Sequence, residues 1–326
     1  MVIEHRPVLV RETLELLAPE RGGLFIDATV GLGGHAEALL RRAPGARLLG
    51  IDRDAQALER AAARLAPFGD RVVLKNANFH QLESTLAQLG RGAPAWAGGA
   101  GAAGAASGIL ADLGVSSLQL ETRERGFSFR LDGPLDMRMG LSGTTAAELI
   151  QRSSEGELEK IFRDLGEEKQ ARRIARAIVA ARSEQPLATT GELKRLIDTV
   201  KGERRDQPWR SGRQARIDPA TRVFQALRIA VNDELAGLES FIEQAVRLLA
   251  SDGRLVVISY HSLEDRIVKN TIRDLARGDI DQVTGRPRAE SQLLEALTKK
   301  PLRPQPAEVE WNPRSRSARL RAARRL

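Results

Sequence analysis

The chain has no cysteine among its 326 residues. That absence excludes disulfides, thiolate zinc sites and every reaction that starts from a cysteine nucleophile. It also lacks any long hydrophobic run. The longest apolar stretches are strand-sized, such as Leu255-Val256-Val257-Ile258, far short of the roughly 20 residues that span a bilayer. Met1-Val2-Ile3-Glu4-His5-Arg6-Pro7 is not laid out as a basic segment followed by an apolar one, so no secretory signal is expected. The sequence therefore predicts a cytoplasmic protein with no membrane partner. Aromatic residues make up only 4%, and Tyr260 is the sole tyrosine. With 42% hydrophobic residues, however, the chain can still bury a real core,.

Positive charge is in excess. The formal net charge is +8, and it is concentrated. Lys299 to Leu326 holds nine Lys or Arg against two Glu, and Lys201 to Arg222 holds seven against three acids. Clustered cations of this kind suit a polyanion such as RNA. An anionic membrane fits less well, because neither stretch carries a large opposing apolar face.

The first 115 residues alternate strand and helix. Apolar runs at Leu24–Ile26, Arg47–Ile51, Arg71–Leu74 and Gly108–Leu113 read as strands, with helices at His35–Arg42 and about Asp54–Leu65. This order predicts a parallel sheet covered by helices on both faces. Gly92 to Gly108 is nearly all Ala and Gly and reads as a flexible surface loop. Gly126 to Gly143 is a loop-like run with Pro134 and several glycines, after which the pattern is helical, at Thr145–Arg152, Glu155–Leu165, Glu167–Ala181 and Thr190–Val200. A long helical stretch, Pro219 to about Ala250, then leads to a strand at Arg254–Ser259. The expected architecture is α/β: a Rossmann-like sheet formed by 1–124 and 216–326, interrupted by an all-helical domain over 125–215.

The sharpest local signal is Phe25-Ile26-Asp27-Ala28-Thr29-Val30-Gly31-Leu32-Gly33-Gly34-His35, a strand running through a glycine turn into a helix. Such a turn lets the backbone approach a ligand closely. Asp52 follows twenty-one residues after Gly31, at the end of the second strand, where it can accept hydrogen bonds from the hydroxyls of an adenosine ribose. Gly31-x-Gly33-x-x-Ala36 also satisfies the dinucleotide fingerprint, so an NAD-dependent dehydrogenase competes with a methyl-donor enzyme. Asp27 beside the turn favours a cofactor carrying a cationic sulfonium. The residue four beyond Tyr260 is Glu264 rather than lysine, which leaves the dehydrogenase without its chemistry.

In open parallel sheets ligands gather at the carboxyl ends of the strands. The fourth strand ends Ile109-Leu110-Ala111-Asp112-Leu113-Gly114, and the last ends Val257-Ile258-Ser259-Tyr260-His261-Ser262-Leu263-Glu264. Asp112 there could accept a hydrogen bond from an exocyclic amine and make it a better nucleophile. His261, one of four histidines, is a second candidate.

Five blocks, taken together, resemble the bacterial ribosomal RNA small subunit methyltransferase H family. They are His5-x-Pro7-Val8-Leu9; the Gly31–His35 turn; Asp112–Gln119 with Arg125–Phe129 and Asp132–Met139; Pro219–Ile229; and Tyr260–Arg266 with Asn312–Ala318. The resemblance covers the whole chain. It implies methylation of N4 of a cytidine in the decoding region of 16S rRNA, within the small ribosomal subunit, with S-adenosyl-L-methionine as cofactor. It implies cofactor contacts at Gly33, Gly34, His35, Asp52, Phe79, Asp112 and Gln119. Asp112 is the first catalytic candidate, followed by His5 and His261, and no metal is called for. Without a cysteine, the methyl must go to an atom that already carries a lone pair. Tyr260 departs from the family's more usual Phe, and the Ala/Gly segment is longer than usual. A non-catalytic RNA-binding protein on the same fold is the remaining alternative.

Overall fold

A computed structural model describes residues 7–89, 94, 96–97, 99–140, 142–202, 218–281, 284 and 288–326. The chain divides into two compact units, Met1–Gly114 with Leu235–Leu326, and Val115–Glu234.

The first unit is built on a seven-stranded sheet. Its strands are β1 (Gly23–Asp27), β2 (Ala46–Asp52), β3 (Val72–Asn76), β4 (Ala106–Asp112), β5 (Leu249–Ser259), β6 (Leu294–Ala296) and β7 (Arg319–Arg325). Their order is β3-β2-β1-β4-β5-β7-β6. The first five pair in parallel, and β7 runs antiparallel between β5 and β6. This is the expected Rossmann-like class I methyltransferase sheet. Successive strand residues face opposite ways, so alternate side chains enter two separate cores. Ile26, Leu49, Ile51, Ile109, Leu255 and Val257 enter one. Phe25, Leu48, Leu110, Val256 and Ile258 enter the other. Burial on both faces is why these strands read as continuous apolar runs.

The second unit is helical around its own core, in which Ile150, Leu158, Phe162, Ile174, Leu193 and Phe224 are buried. Its longer helices are Ala146–Arg152, Glu155–Asp164, Ala171–Glu184, Thr190–Lys201 and Thr221–Asn232. Three of them open with reciprocal caps, Thr145 with Glu148, Ser154 with Glu157 and Thr189 with Glu192. Each cap satisfies backbone donors that a helix start leaves without partners. Among the described residues, no helix is long and apolar enough to cross a membrane.

Three expectations are corrected, and the tail adds an element that its composition did not announce. The stretch from Pro219 to Ala250 is two helices, Thr221–Asn232 and Leu238–Leu248, because Asp233 takes a left-handed turn (φ 52°). The helix placed at Glu167–Ala181 starts at Ala171 and runs to Glu184, since Glu167 is itself left-handed (φ 50°). The Ala/Gly segment is not wholly a loose surface loop: Ala97 and Ala100 are fully buried, and Trp96 Nε1 donates to the Asp70 carbonyl. Small side chains pack closely without needing much area of their own. Finally, the arginine-rich tail contains strand β7, whose Ala322 and Ala323 are buried and whose arginines are largely paired.

Candidate active site

Asp27, Asp52 and Asp112 are the last residues of β1, β2 and β4, three neighbours in the sheet. Three carboxylates therefore gather at the carboxyl edge. Asp52 holds the glycine turn in place: its Oδ2 accepts from Gly31 N at 2.8 Å and its Oδ1 from Asp54 N at 2.8 Å. Each carboxylate oxygen keeps a further lone pair for a ligand hydroxyl. Burial raises the Asp52 carboxyl above its ordinary range.

Asp27 is buried, and its Oδ1 accepts from Thr29 N at 3.2 Å. It stands against a cavity of about 10 Å³ lined by Leu17, Phe25, Leu39, Leu48 and Leu110, with His35 as its other polar neighbour. Burial, reinforced by the charges of Asp112 and Asp52, pushes its pKa up to about 8. Burial, with a smaller push from its two acidic neighbours, is what keeps this carboxyl protonated near neutral pH.

Asp112 is held from several sides. Its backbone N donates to Thr29 Oγ1 at 2.6 Å, and its Oδ1 faces Gly114 N at 3.4 Å. The Tyr260 hydroxyl bonds to its carboxylate, and burial together with that charge drives the phenol's pKa well above its usual range. The Tyr260 ring lies so close to Gly114 that a Cβ there would sit 2.6 Å from it. His35 is buried; Nε2 donates to the Val8 carbonyl at 2.8 Å, which leaves Nδ1 facing Asp112 Oδ2 at 3.8 Å.

Gly33 caps the helix Gly34–Arg42 with φ 78°, a left-handed conformation that glycine adopts at little cost,. A Cβ on Gly34 would lie 3.0 Å from the Pro7 ring. Phe79 sits in a short turn after β3, its ring edge-on to Phe241 at 5.0 Å and to His80 at 4.4 Å. It packs on the core as an apolar wall and stays partly exposed.

The structure thus gathers Gly33, Gly34, His35, Asp52, Asp112 and, one strand further out, Phe79 along one edge of the sheet. Gln119 belongs to the second unit, where it is buried and exchanges hydrogen bonds with Ser116 at the start of the helix Ser117–Glu121. His5 lies outside the described residues. His261 caps the helix Ser262–Arg277: Nδ1 faces Glu264 N at 3.4 Å and Nε2 lies 3.1 Å from Glu264 Oε1. Only Nδ1 serves that cap; Nε2, although close to Glu264 Oε1, is buried and makes no hydrogen bond among the described residues. Sequence reasoning passed over Thr29, which secures Asp112, and Glu264, whose Oε2 accepts from Tyr260 N at 2.8 Å. The spacing of His261 and Glu264 matches a capping box, a signal that was available.

The basic tail resolves into two groups. Arg319 and Arg321 both reach Asp265, at 3.3 and 2.6 Å, and Arg324 pairs with Asp252 and Glu295. Lys299, Lys300, Arg303, Arg314 and Arg316 are exposed. Most of the other basic stretch, Lys201 to Arg222, lies outside the described residues.

Among curated proteins, the chain is 49% identical to the ribosomal RNA small subunit methyltransferase H of Geotalea daltonii, covering 99% of both chains. It is 47% identical to the protein of that name from Granulibacter bethesdensis, over 98% of this chain and 90% of that one. With the Symbiobacterium thermophilum protein of the same name it shares 46% identity, over 100% of this chain and 98% of the relative. Matched from residue 2 to residue 326, and nearly half identical to these proteins over almost their full length, the chain belongs to the MraW methylase family.

Proposed function

We propose that this protein transfers the methyl group of S-adenosylmethionine to the exocyclic N4 of a cytidine in the decoding region of 16S rRNA. The observation that carries this reading is the trio of carboxylates at adjacent strand ends, in a chain belonging to a methylase family. The charge of Asp52 and Asp112, beside the protonated Asp27, suits a cationic sulfonium and repels a pyrophosphate. Pro7 also crowds the start of the helix where a dinucleotide's phosphates would sit,. Both points count against the NAD-dependent dehydrogenase.

The residues fit the cofactor. Asp52 would take the ribose hydroxyls, Phe79 the adenine face, and Gly33, Gly34 and His35 the methionine side of the turn, with Gln119 as a further contact. When bound, S-adenosylmethionine supplies an electrophilic methyl on a cationic sulfur. The chain's own task is to align the amine and raise its nucleophilicity. Asp112 would accept a hydrogen bond from the N4 amine, drawing its lone pair out of the ring and onto the methyl. Tyr260, Gly114 N and Thr29 hold Asp112 for that role. His5 and His261 are secondary candidates. The absence of cysteine accords with an amine rather than ring carbon 5 as the acceptor,.

The helical unit, read from sequence as 125–215, would recognise the RNA together with exposed cations of the tail. Ribosomal RNA, as part of the small subunit in the cytoplasm, is the proposed partner. The test is mass spectrometry of nucleosides from small-subunit rRNA incubated with the enzyme and S-adenosylmethionine. N4-methylcytidine is expected. A methylated nucleoside of another kind overturns the position, and no methylation on either rRNA or subunits favours a non-catalytic RNA-binding protein.

A further inference from the structure

We infer that Trp311 is a stacking platform for an unpaired RNA base beside the active site. This rests on the reading of the chain as an RNA methyltransferase, and names the surface that meets the strand next to the target.

Trp311 is 53% exposed, the most exposed large hydrophobic side chain among the described residues. It ends the helix Pro306–Trp311 and is followed by the turn Pro313–Ser317. Within that turn Ser315 is fully buried and its hydroxyl donates to the Asn312 carbonyl at 2.8 Å. Anchoring Ser315 inward turns its neighbours Arg314 and Arg316 outward. Arg303 is exposed on the segment that returns along β7 through the Leu302–Leu320 bridge. Lys299, Lys300, Arg303 and Arg316 have no carboxylate partner among the described residues, whereas Arg319, Arg321 and Arg324 of β7 are paired with Asp265, Asp252 and Glu295. An exposed aromatic ring on a tail that also exposes unneutralised cations is the combination that binds single-stranded nucleic acid,.

The same helix is tied to the active site. Glu308, one turn before Trp311, accepts from Leu9 N at 2.8 Å, and its charge acts on Tyr260, the partner of Asp112. Val8, next to Leu9, accepts from His35, which faces Asp112. A base stacked on Trp311 would therefore belong to the strand that delivers the target cytidine, not to a remote contact.

The test uses the full-length protein and short oligocytidylate as the probe. Wild-type tryptophan fluorescence should fall on titration, and Trp311→Phe should lose most of that change while binding within a few-fold of wild type. Trp311→Ala should bind the oligonucleotide about tenfold or more weakly, with unchanged affinity for S-adenosylmethionine. Equal oligonucleotide affinity in wild type and Trp311→Ala overturns the platform. So does a defect seen only with assembled subunits, which would assign the surface to a protein partner. Methyl transfer by the wild type into rRNA is measured alongside. If it is present while Trp311→Ala is neutral, the platform fails alone; if it is absent, the RNA methyltransferase reading fails first.

Discussion

Replacing Asp27 by Asn should change how stability depends on pH. In the folded chain this carboxyl has a pKa of about 8, against an ordinary value of 3.8, chiefly because it is buried. Between those values the folded protein retains a proton that the unfolded chain has released. Stability therefore falls as pH rises through this window and levels off above about 8. The slope from one such group approaches about 1.4 kcal/mol per pH unit, with an upper bound of about 6 kcal/mol over the whole window. Asn resembles the neutral acid in shape, and its carbonyl can still accept from Thr29 N, so the variant should fold. At roughly 2 °C per kcal/mol for a chain of this size, the variant's melting temperature should gain about 3 °C on wild type for each unit between pH 5 and pH 8. Thermal melts of both proteins without cofactor, in matched ionic strength, provide the measurement. Parallel curves would mean that the folded Asp27 carboxyl titrates as it does in the unfolded chain, and the argument that burial keeps it protonated would fail,.

Asp112→Asn should lower single-turnover methyl transfer about a hundredfold to a thousandfold at saturating cofactor and substrate; near-wild-type rates would reduce Asp112 to a cofactor contact. Asp52→Ala should weaken S-adenosylmethionine binding about tenfold to a hundredfold by calorimetry. Because Asp52 also holds Gly31 N and Asp54 N, the variant should lose some stability as well, and Asp52→Asn should recover part of it. Asp265→Ala leaves Arg321 buried without its carboxylate, so urea unfolding should show a loss of about 3–5 kcal/mol. Arg319→Ala, which leaves the closer Arg321–Asp265 pair intact, should cost clearly less.

Elements with a strong local period could be read from sequence. Strands β1, β2 and β4 lie within two residues of their expected bounds, because a strand buried on both faces is a short apolar run closed by a polar residue. The capped helices were equally plain, since Thr145, Ser154 and Thr189 each stand three residues before a glutamate. What failed to show depends on tertiary pairing. Nothing local distinguishes the break at Asp233 from a continuing amphipathic helix, because an aspartate in a left-handed turn leaves no periodic trace. Strand β7 reads Arg319-Leu320-Arg321-Ala322-Ala323-Arg324-Arg325, without a clean alternation, and only Asp265, 56 residues before Arg321, explains why a strand would carry buried guanidinium. At the site, the positions of Asp27, Asp52 and Asp112 were legible as strand ends. Their mutual effect on charge was not, since it arises from the β2-β1-β4 adjacency.

Strands β4 and β5 are neighbours in the sheet, with Asp112 opposite Ile258, yet about 150 residues lie between these partners. Closing so long a loop in an unfolded chain costs about 4.4 kcal/mol on the logarithmic scale that governs loop entropy. The unit Val115–Glu234 has a core of its own and contacts between helices close in sequence, a topology that folds quickly. Once it has formed, only about 25 flexible residues separate the strands, and the closure cost drops by about 1.5 kcal/mol. The order of events is thereby set by connectivity: the inserted helices condense first and hasten the central strand pairing by about tenfold. A destabilising change in the helical core, such as Phe162→Ala, should thus slow the refolding of a sheet it does not belong to.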